Sequence, residues 1–161
     1  MADPALVLCW PGKTSAAYAR LGIDEYLARI RRYRSCEILT VAEEPPGKQY
    51  SAAHRLEREG RSLLDRLEAV RPYYLVAVDP RGKSMDSRDF ADLLRRQCYD
   101  VPRILAFAVG GPDGLATGVR ERADLLLGLS RMTLPHDMAR LFLAEQIYRG
   151  FTVIHGHPYS R

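Results

Sequence analysis

Five short, mostly apolar runs punctuate the chain, and each ends in a break. They are Ala5 to Trp10 (ALVLCW), Cys36 to Ala42 (CEILTVA), Tyr73 to Val78 (YYLVAV), Ile104 to Val109 (ILAFAV) and Leu125 to Leu129 (LLLGL). Runs of this length and composition suit buried strands better than helices. The segments between them carry helical periodicity, so strands alternate with helices along the whole sequence. That order predicts an α/β fold: a mainly parallel sheet flanked by helices on both faces. A length of 161 residues suits a single domain spanning 1–161.

The helical segments have legible inner faces. A first helix is expected from about Ser15, a possible N-cap, to Tyr33. Its end carries Arg29, Arg31, Arg32 and Arg34, which read as a solvated face suited to the helix dipole in preference to a phosphate site. Ser51 to Ala69 turns Leu56, Leu63, Leu64 and Leu67 inward, with His54 left at the surface. A third helix starts at Ser84, Asp86 or Ser87 and runs to about Tyr99, burying Phe90, Leu93 and Leu94. The last runs from about His136 to Gly150. Met138, Leu141, Phe142, Leu143, Ala144, Ile147 and Tyr148 make it apolar around much of its circumference, which predicts burial on more than one side and a subunit interface.

The chemistry is expected where strand ends break into loops. Gly110-Gly111-Pro112-Asp113-Gly114 cannot continue the fourth strand, and glycine lets a ligand approach the backbone closely. The fifth strand ends in Ser130-Arg131-Met132-Thr133-Leu134-Pro135, and the third in Asp79-Pro80-Arg81-Gly82-Lys83. In an α/β sheet such ends form a ligand crevice. Asp79 reads as a turn cap or a ligand contact. A cofactor with an adenine ring and little phosphate suits the crevice: backbone groups can bond the ring, and Leu129, Met132 and Leu134 offer apolar contacts.

Several familiar sites are absent. Pro11-Gly12-Lys13-Thr14 lacks the Walker A spacing, and no GxGxxG, GxSxG or HExxH occurs. Cys9, Cys36 and Cys98 are odd in number and widely spaced, which argues for buried thiols and against a disulfide framework or a zinc site. His155 and His157 alone are poor evidence for a metal, and none is expected. No apolar run reaches membrane-spanning length, and MADPALVLCWPGK lacks the basic start of a signal peptide, so a cytoplasmic protein is expected. The net charge of +4, carried almost wholly by arginine, is compatible with nucleic acid but does not establish it.

Three stretches together say more: VDPRGKSMDSRDFADLL, FAVGGPDGL and LSRMTLPHDMARLFLAEQIYRGFTVIHGHPYSR. With IDEYLARI and EREGRSLL they resemble the RlmH family over nearly the whole chain. These are small SPOUT-class methyltransferases of large-subunit ribosomal RNA. The resemblance implies a SPOUT-type fold with a C-terminal trefoil knot and a homodimer. It implies S-adenosyl-L-methionine as methyl donor and N3 of a pseudouridine in 23S rRNA as acceptor, in the assembled ribosome. It assigns Val78, Gly110, Leu129, Ser130, Arg131, Met132, Thr133 and Leu134 to the cofactor. It offers His157, Tyr159 and Arg161 of the tail as catalytic candidates, with Arg140 and Arg149 as helpers across the dimer or as plain salt bridges. The chain departs from the family at Ser160, where a histidine is usual, at Gly150, where alanine is usual, and in its first turn, LCWPGK. A SPOUT methyltransferase with another RNA target and a non-catalytic ribosome- or RNA-binding relative are the competing readings.

Overall fold

The computed structural model describes residues 5–159 apart from positions 48 and 71. The strands are β1 (Leu6–Pro11), β2 (Cys36–Val41), β3 (Tyr73–Ser84), β4 (Ile104–Ala108) and β5 (Leu125–Gly128). The helices are α1 (Ala17–Ile30), α2 (Ala52–Glu68), α3 (Ser87–Arg95), α4 (Thr117–Arg122) and α5 (His136–Ile154), with a π-helical turn, Arg96–Asp100, after α3. The sheet order is β2-β1-β4-β3-β5, and every pairing is parallel. The expected α/β architecture is what the chain adopts.

Alternation along β1 divides the core. Leu6, Leu8 and Trp10 face one side, with Ile23 and Leu27 of α1, Phe90 and Leu94 of α3, and Leu143, Ile147 and Phe151 of α5. Val7 and Cys9 face the other, with Leu63 and Leu67 of α2 and Val119 of α4. Successive strand residues point to opposite faces, so a strand buried on both must be apolar throughout. All six β1 residues are buried.

Four boundaries differ from expectation for identifiable reasons. Ser15 does not cap α1. Ala16 holds the cap position with no side-chain bond of its own, and the carboxylate of Asp137 accepts from the Ala16 amide (2.9 Å) and the Ser15 hydroxyl (3.2 Å). Helix α1 then stops at Ile30, short of Tyr33. Helix α3 ends at Arg95, where it widens into the π-helical turn. Helix α5 continues past Gly150 to Ile154 because Phe151 and Thr152 are fully buried. Its apolar circumference is largely covered by α1 and α3 of the same chain. Arg140 is interior too, with no exposed surface. The structure thus places Arg140 inside its own subunit, not at a surface or across a dimer.

Strand β3 does not stop at Val78, where its apolar run ends, but continues to Ser84. It pairs with β5 twice: Val78 lies opposite Leu127, and after a shift Lys83 lies opposite the same Leu127. Residues 79–82 form a wide bulge, which Pro80, lacking an amide donor, permits. The bulge holds a loop of chain against β5. Here two backbones nearly touch. A Cβ on Gly82 would sit 2.5 Å from the Leu127 carbonyl carbon and 2.6 Å from the Gly128 nitrogen. Only a residue without a side chain fits.

Gly82→Ala should therefore cost about 2 kcal/mol or more, because backbone cannot yield as a side-chain tip can. Gly118→Ala, in α4 with no heavy atom within 4 Å of the added carbon, should be neutral or stabilising by about 0.5–1 kcal/mol. Urea unfolding of both variants checks the contrast.

Candidate active site

The bulge 79–82 within β3 and the loops that follow β4 and β5, 110–114 and 129–135, come together. Between them lies a cavity of about 650 Å³. Such a volume suits a small molecule or cofactor, for which pockets run roughly 300–1,000 Å³.

The glycine loop forms one wall. Gly111 and Gly114 form an isolated antiparallel bridge, with the Gly114 amide donating to the Gly111 carbonyl at 3.0 Å. Gly114 has φ +82°. A Cβ on Gly110 would collide with the Gly114 backbone. The turn can close only with glycine at these positions. It presents backbone groups to the cavity where a side chain would otherwise fill it. Opposite stands the 129–135 loop, tightened by the Met132 amide donating to the Ser130 hydroxyl (2.9 Å).

Of the residues singled out for the cofactor, Val78, Gly110, Leu129, Ser130, Met132, Thr133 and Leu134 line this one cavity. Arg131 does not; it lies in the same loop but outside the wall. The wall also holds Asp79, Val109, Gly111, Pro135, His136 and Ala139, which were not singled out for the cofactor. The last three follow the loop directly in sequence, and that adjacency was the available signal.

Among the described residues the cavity wall holds Asp79 and His136 and no lysine or arginine. Asp79 is 4% exposed and accepts from the Arg81 amide (2.8 Å) and the Arg81 guanidinium (3.1 Å), with Arg120 at 3.8 Å. It thus does what a turn cap does while also facing the cavity. The Arg81 guanidinium holds its carboxyl below the ordinary value, against the opposing effect of burial. Arg81 and Arg120 already neutralise Asp79, and with no lysine or arginine among the described wall residues the cavity has little to hold a polyphosphate. Backbone donors and acceptors and an apolar wall fit an adenine ring with little phosphate.

The first turn of α5 braces the cavity from behind. His136 and Ala139 face it. Asp137 and Arg140 turn away, toward the β1–α1 loop. The Arg140 guanidinium donates to the Pro11 carbonyl (2.8 Å) and the Thr14 hydroxyl (3.3 Å), and lies 5.0 Å from the Trp10 ring centre. Asp137 is 3.6 Å from Arg140 and 3.3 Å from His136. Burial alone would raise the Asp137 carboxyl. The Ala16 amide, His136, the Ser15 hydroxyl and Arg140 outweigh it and hold the group below its ordinary value.

The tail candidates lie elsewhere. His157 Nδ1 is 2.5 Å from the Tyr33 hydroxyl. The Tyr159 hydroxyl donates to Glu145 (3.1 Å) and lies 3.4 Å from that of Tyr26. Arg149 pairs with the same Glu145 (2.6 Å) and lies beneath the Tyr159 ring. Burial first, then Tyr26 and Glu145, push the Tyr159 phenol well above its ordinary value. Arg161 and Ser160 lie outside the described residues. His136, at the start of α5, touches the cavity, whereas His157 and Tyr159 follow its end. A helix of 19 residues is about 28 Å long. One chain therefore does not bring its own His157 or Tyr159 to its own cavity. Tyr26, Tyr33 and Glu145, which anchor the tail, were missed because only contacts across the fold select them.

Comparison with known proteins bears on this arrangement. The family described as "Predicted SPOUT methyltransferase" matches residues 5–160. "Ribosomal RNA large subunit methyltransferase H" of Geobacter sp. (strain M21) is 45% identical over 156 residues, covering 96% of this chain and 97% of that protein. The protein of the same name from Syntrophotalea carbinolica is 40% identical, covering 92% and 93%. Among solved structures, a probable methyltransferase from Bordetella pertussis Tohama I superposes with a TM-score of 0.55 at 18% identity, covering 91% of this chain and 95% of that one. A probable methylase family protein from Haemophilus influenzae Rd KW20 gives 0.57 at 12%, covering 97% and 69%. These two likenesses concern the fold.

Asp137→Asn should lower stability by about 1–3 kcal/mol near neutral pH, since a buried anion is lost beside Arg140. A carboxyl held low when folded contributes stability above its unfolded value, about 3.9, and loses it as pH falls through the folded value. The gap between wild type and variant should thus be full at about pH 6–7 and shrink below about pH 4 in urea titrations.

Proposed function

Because the chain belongs to the SPOUT methyltransferase family, we propose that it methylates N3 of a pseudouridine in 23S rRNA, in the cytoplasm, as a homodimer whose active site is shared between subunits. It is an S-adenosylmethionine-dependent methyltransferase of large-subunit ribosomal RNA. The observation that supports the shared site is the separation of the cavity from His157 and Tyr159 along α5; the N3 target rests on the likeness to the large-subunit methyltransferase H relatives.

In this reading the glycine loop and the loop 129–134 hold the cofactor through backbone groups and the apolar walls of Val78, Leu129 and Leu134. Asp79 supplies the only carboxylate of the cavity wall among the described residues. When bound, S-adenosylmethionine supplies an electrophilic methyl group on a sulfonium. The protein must place the acceptor nitrogen in line with that methyl and keep water out, which supplies most of what a displacement needs.

Methylation at N3 releases a proton. Tyr159, with its raised phenol and its O–H held by Glu145, stays neutral and serves to position the base, not as the proton acceptor. His157 is suited to accept that proton in the tautomer whose Nδ1–H donates to Tyr33, which leaves a lone pair on Nε2. Arg161 is assigned to a phosphate of the substrate. These groups act at a partner's cavity when two α5 helices run in opposite directions across the dimer axis. Tyr18 and Leu21 on α1 and Phe142 on α5, all exposed and apolar, provide surface for that packing.

Calorimetry of the purified protein should show S-adenosylmethionine binding that Gly110→Arg abolishes. Tyr159→Phe should retain that binding yet lose about tenfold or more in methyl transfer to ribosomes. Mixed Gly110→Arg and Tyr159→Phe subunits should recover about a quarter of wild-type activity, since about half the dimers are hybrids with one intact site of two. No recovery on mixing would leave each site within one chain.

A further inference from the structure

The tail end of α5 carries a feature that cofactor binding and methyl transfer leave unused. Two cavities open there, and His157 lines both. One, of about 430 Å³, lies between α3 and α5 and is walled by Ser87, Arg88, Arg149 and Gly156 as well, with no carboxylate among the described wall residues. The other, of about 580 Å³, lies between α1 and α5, walled by Arg29, Arg32, Tyr33 and Tyr148, with Glu25 as the one acidic residue among those described.

Most arginines near these cavities are already engaged. Arg29 pairs with Glu25 (2.6 Å) and Arg149 with Glu145 (2.6 Å). Arg31 donates to the Cys36 carbonyl (3.0 Å), and the Arg34 guanidinium lies 3.9 Å over the Tyr99 ring. Arg32 and Arg88 differ. Both are exposed, and among the described residues neither side chain has an ion pair, hydrogen bond or ring contact. Each stands in a cavity wall, one on either side of His157. Two uncommitted guanidiniums flanking an exposed imidazole make a surface for two anionic groups, and arginine's planar fork matches phosphate oxygens.

Resting on the ribosomal RNA reading above, we propose that Arg88 and Arg32 each bind a backbone phosphate of the RNA substrate, one on either side of His157. The two arginines then orient the strand so that the nucleotide between those phosphates is presented to the tail. In the shared site this surface lies beside the partner's cavity, so the RNA meets it on approach. The arginine run after α1 is thus divided: Arg29, Arg31 and Arg34 hold the fold, and Arg32 faces the substrate.

The test measures methyl transfer to unmethylated ribosomes as a function of KCl, with Arg88→Gln, Arg32→Gln and the control Arg95→Gln. Arg95 is an exposed arginine of α3 paired with Asp100 (3.3 Å), away from both cavities. Losing one phosphate contact should raise the KM for ribosomes about five- to tenfold and flatten the log–log salt slope by about 0.7–0.9. S-adenosylmethionine affinity should not change. Arg95→Gln should leave KM and slope as in wild type. If the wild type methylates ribosomes and all three variants share its slope, the phosphate subsites are wrong and the functional reading stands. If the wild type binds S-adenosylmethionine but transfers no methyl to ribosomal RNA, the functional reading falls and takes the subsites with it. Weakened binding to ribosomes with undiminished binding to naked 23S rRNA would place a ribosomal protein on these arginines and overturn the assignment.

Discussion

Arg140 is a guanidinium with no exposed surface, and the fold is arranged around satisfying it. Burial pulls it below its ordinary value, while Asp137 and Glu43 pull the other way. An ion so placed is tolerated only when neighbours replace its water. The neighbours come from the opposite end of the chain: the Pro11 carbonyl, the Thr14 hydroxyl and the Trp10 ring. The replacement is incomplete, since Arg140 Nε and Asp137 Oδ1 have no hydrogen-bond partner among the described residues. Loss of either partner would leave the other charge buried and unmatched. The pair fastens the β1–α1 loop to the first turn of α5. That turn carries His136 and Ala139 on its other side, so the cavity has a rigid back wall.

The same helix sets the scale of the site. Its first turn touches the cavity and its last holds the tail, about 28 Å apart by helix geometry. A chain that buries α5 between α1 and α3 cannot bend it to bring the ends together. The choice is then between a tail with no part in the chemistry and a second subunit. Gly150 bears on this rigidity: a Cβ there would collide with the Leu94 side chain and meet the Ala91 backbone at 3.6 Å. Glycine at a position where alanine is usual in the RlmH family thus brings α5 close to α3 and fixes the line along which the tail leaves.

The strand–helix order, the parallel sheet and the loops after the fourth and fifth strands were legible from local pattern, because buried strands and amphipathic helices announce themselves by period; the break expected after Val78 is a bulge inside β3. Seven residues of the expected cofactor set share one cavity for the same reason: they end strands that the sheet aligns. What escaped the sequence was long-range. Asp137 caps a helix whose own Ser15 was the local candidate, and nothing within a few residues of either reveals the pairing. Strand β3 continues beyond Pro80 because β5 lies against it at Gly82, a fact about packing and not about propensity. Arg140 reads as a surface residue by type, and only the fold shows that it is interior. Tyr159 and His157 could be singled out by resemblance, but their anchors on α1 could not.

Electrostatics tie these parts to the chemistry. Among the described residues the cavity wall holds one carboxylate, His136 and no lysine or arginine, whereas the tail end is rich in arginine. Within one chain these surfaces lie at opposite ends of α5 and have no reason to act together. If two chains paired with oppositely directed α5 helices, each cavity would face the partner's His157 and Tyr159. The reaction joins a small cofactor and an RNA strand, and the arginines would then meet the phosphates of the strand while the backbone-lined cavity held the cofactor. A buried, straight α5 need not bend for the two ends to meet in this way, so the pairing would complete a site that the fold of one chain keeps apart.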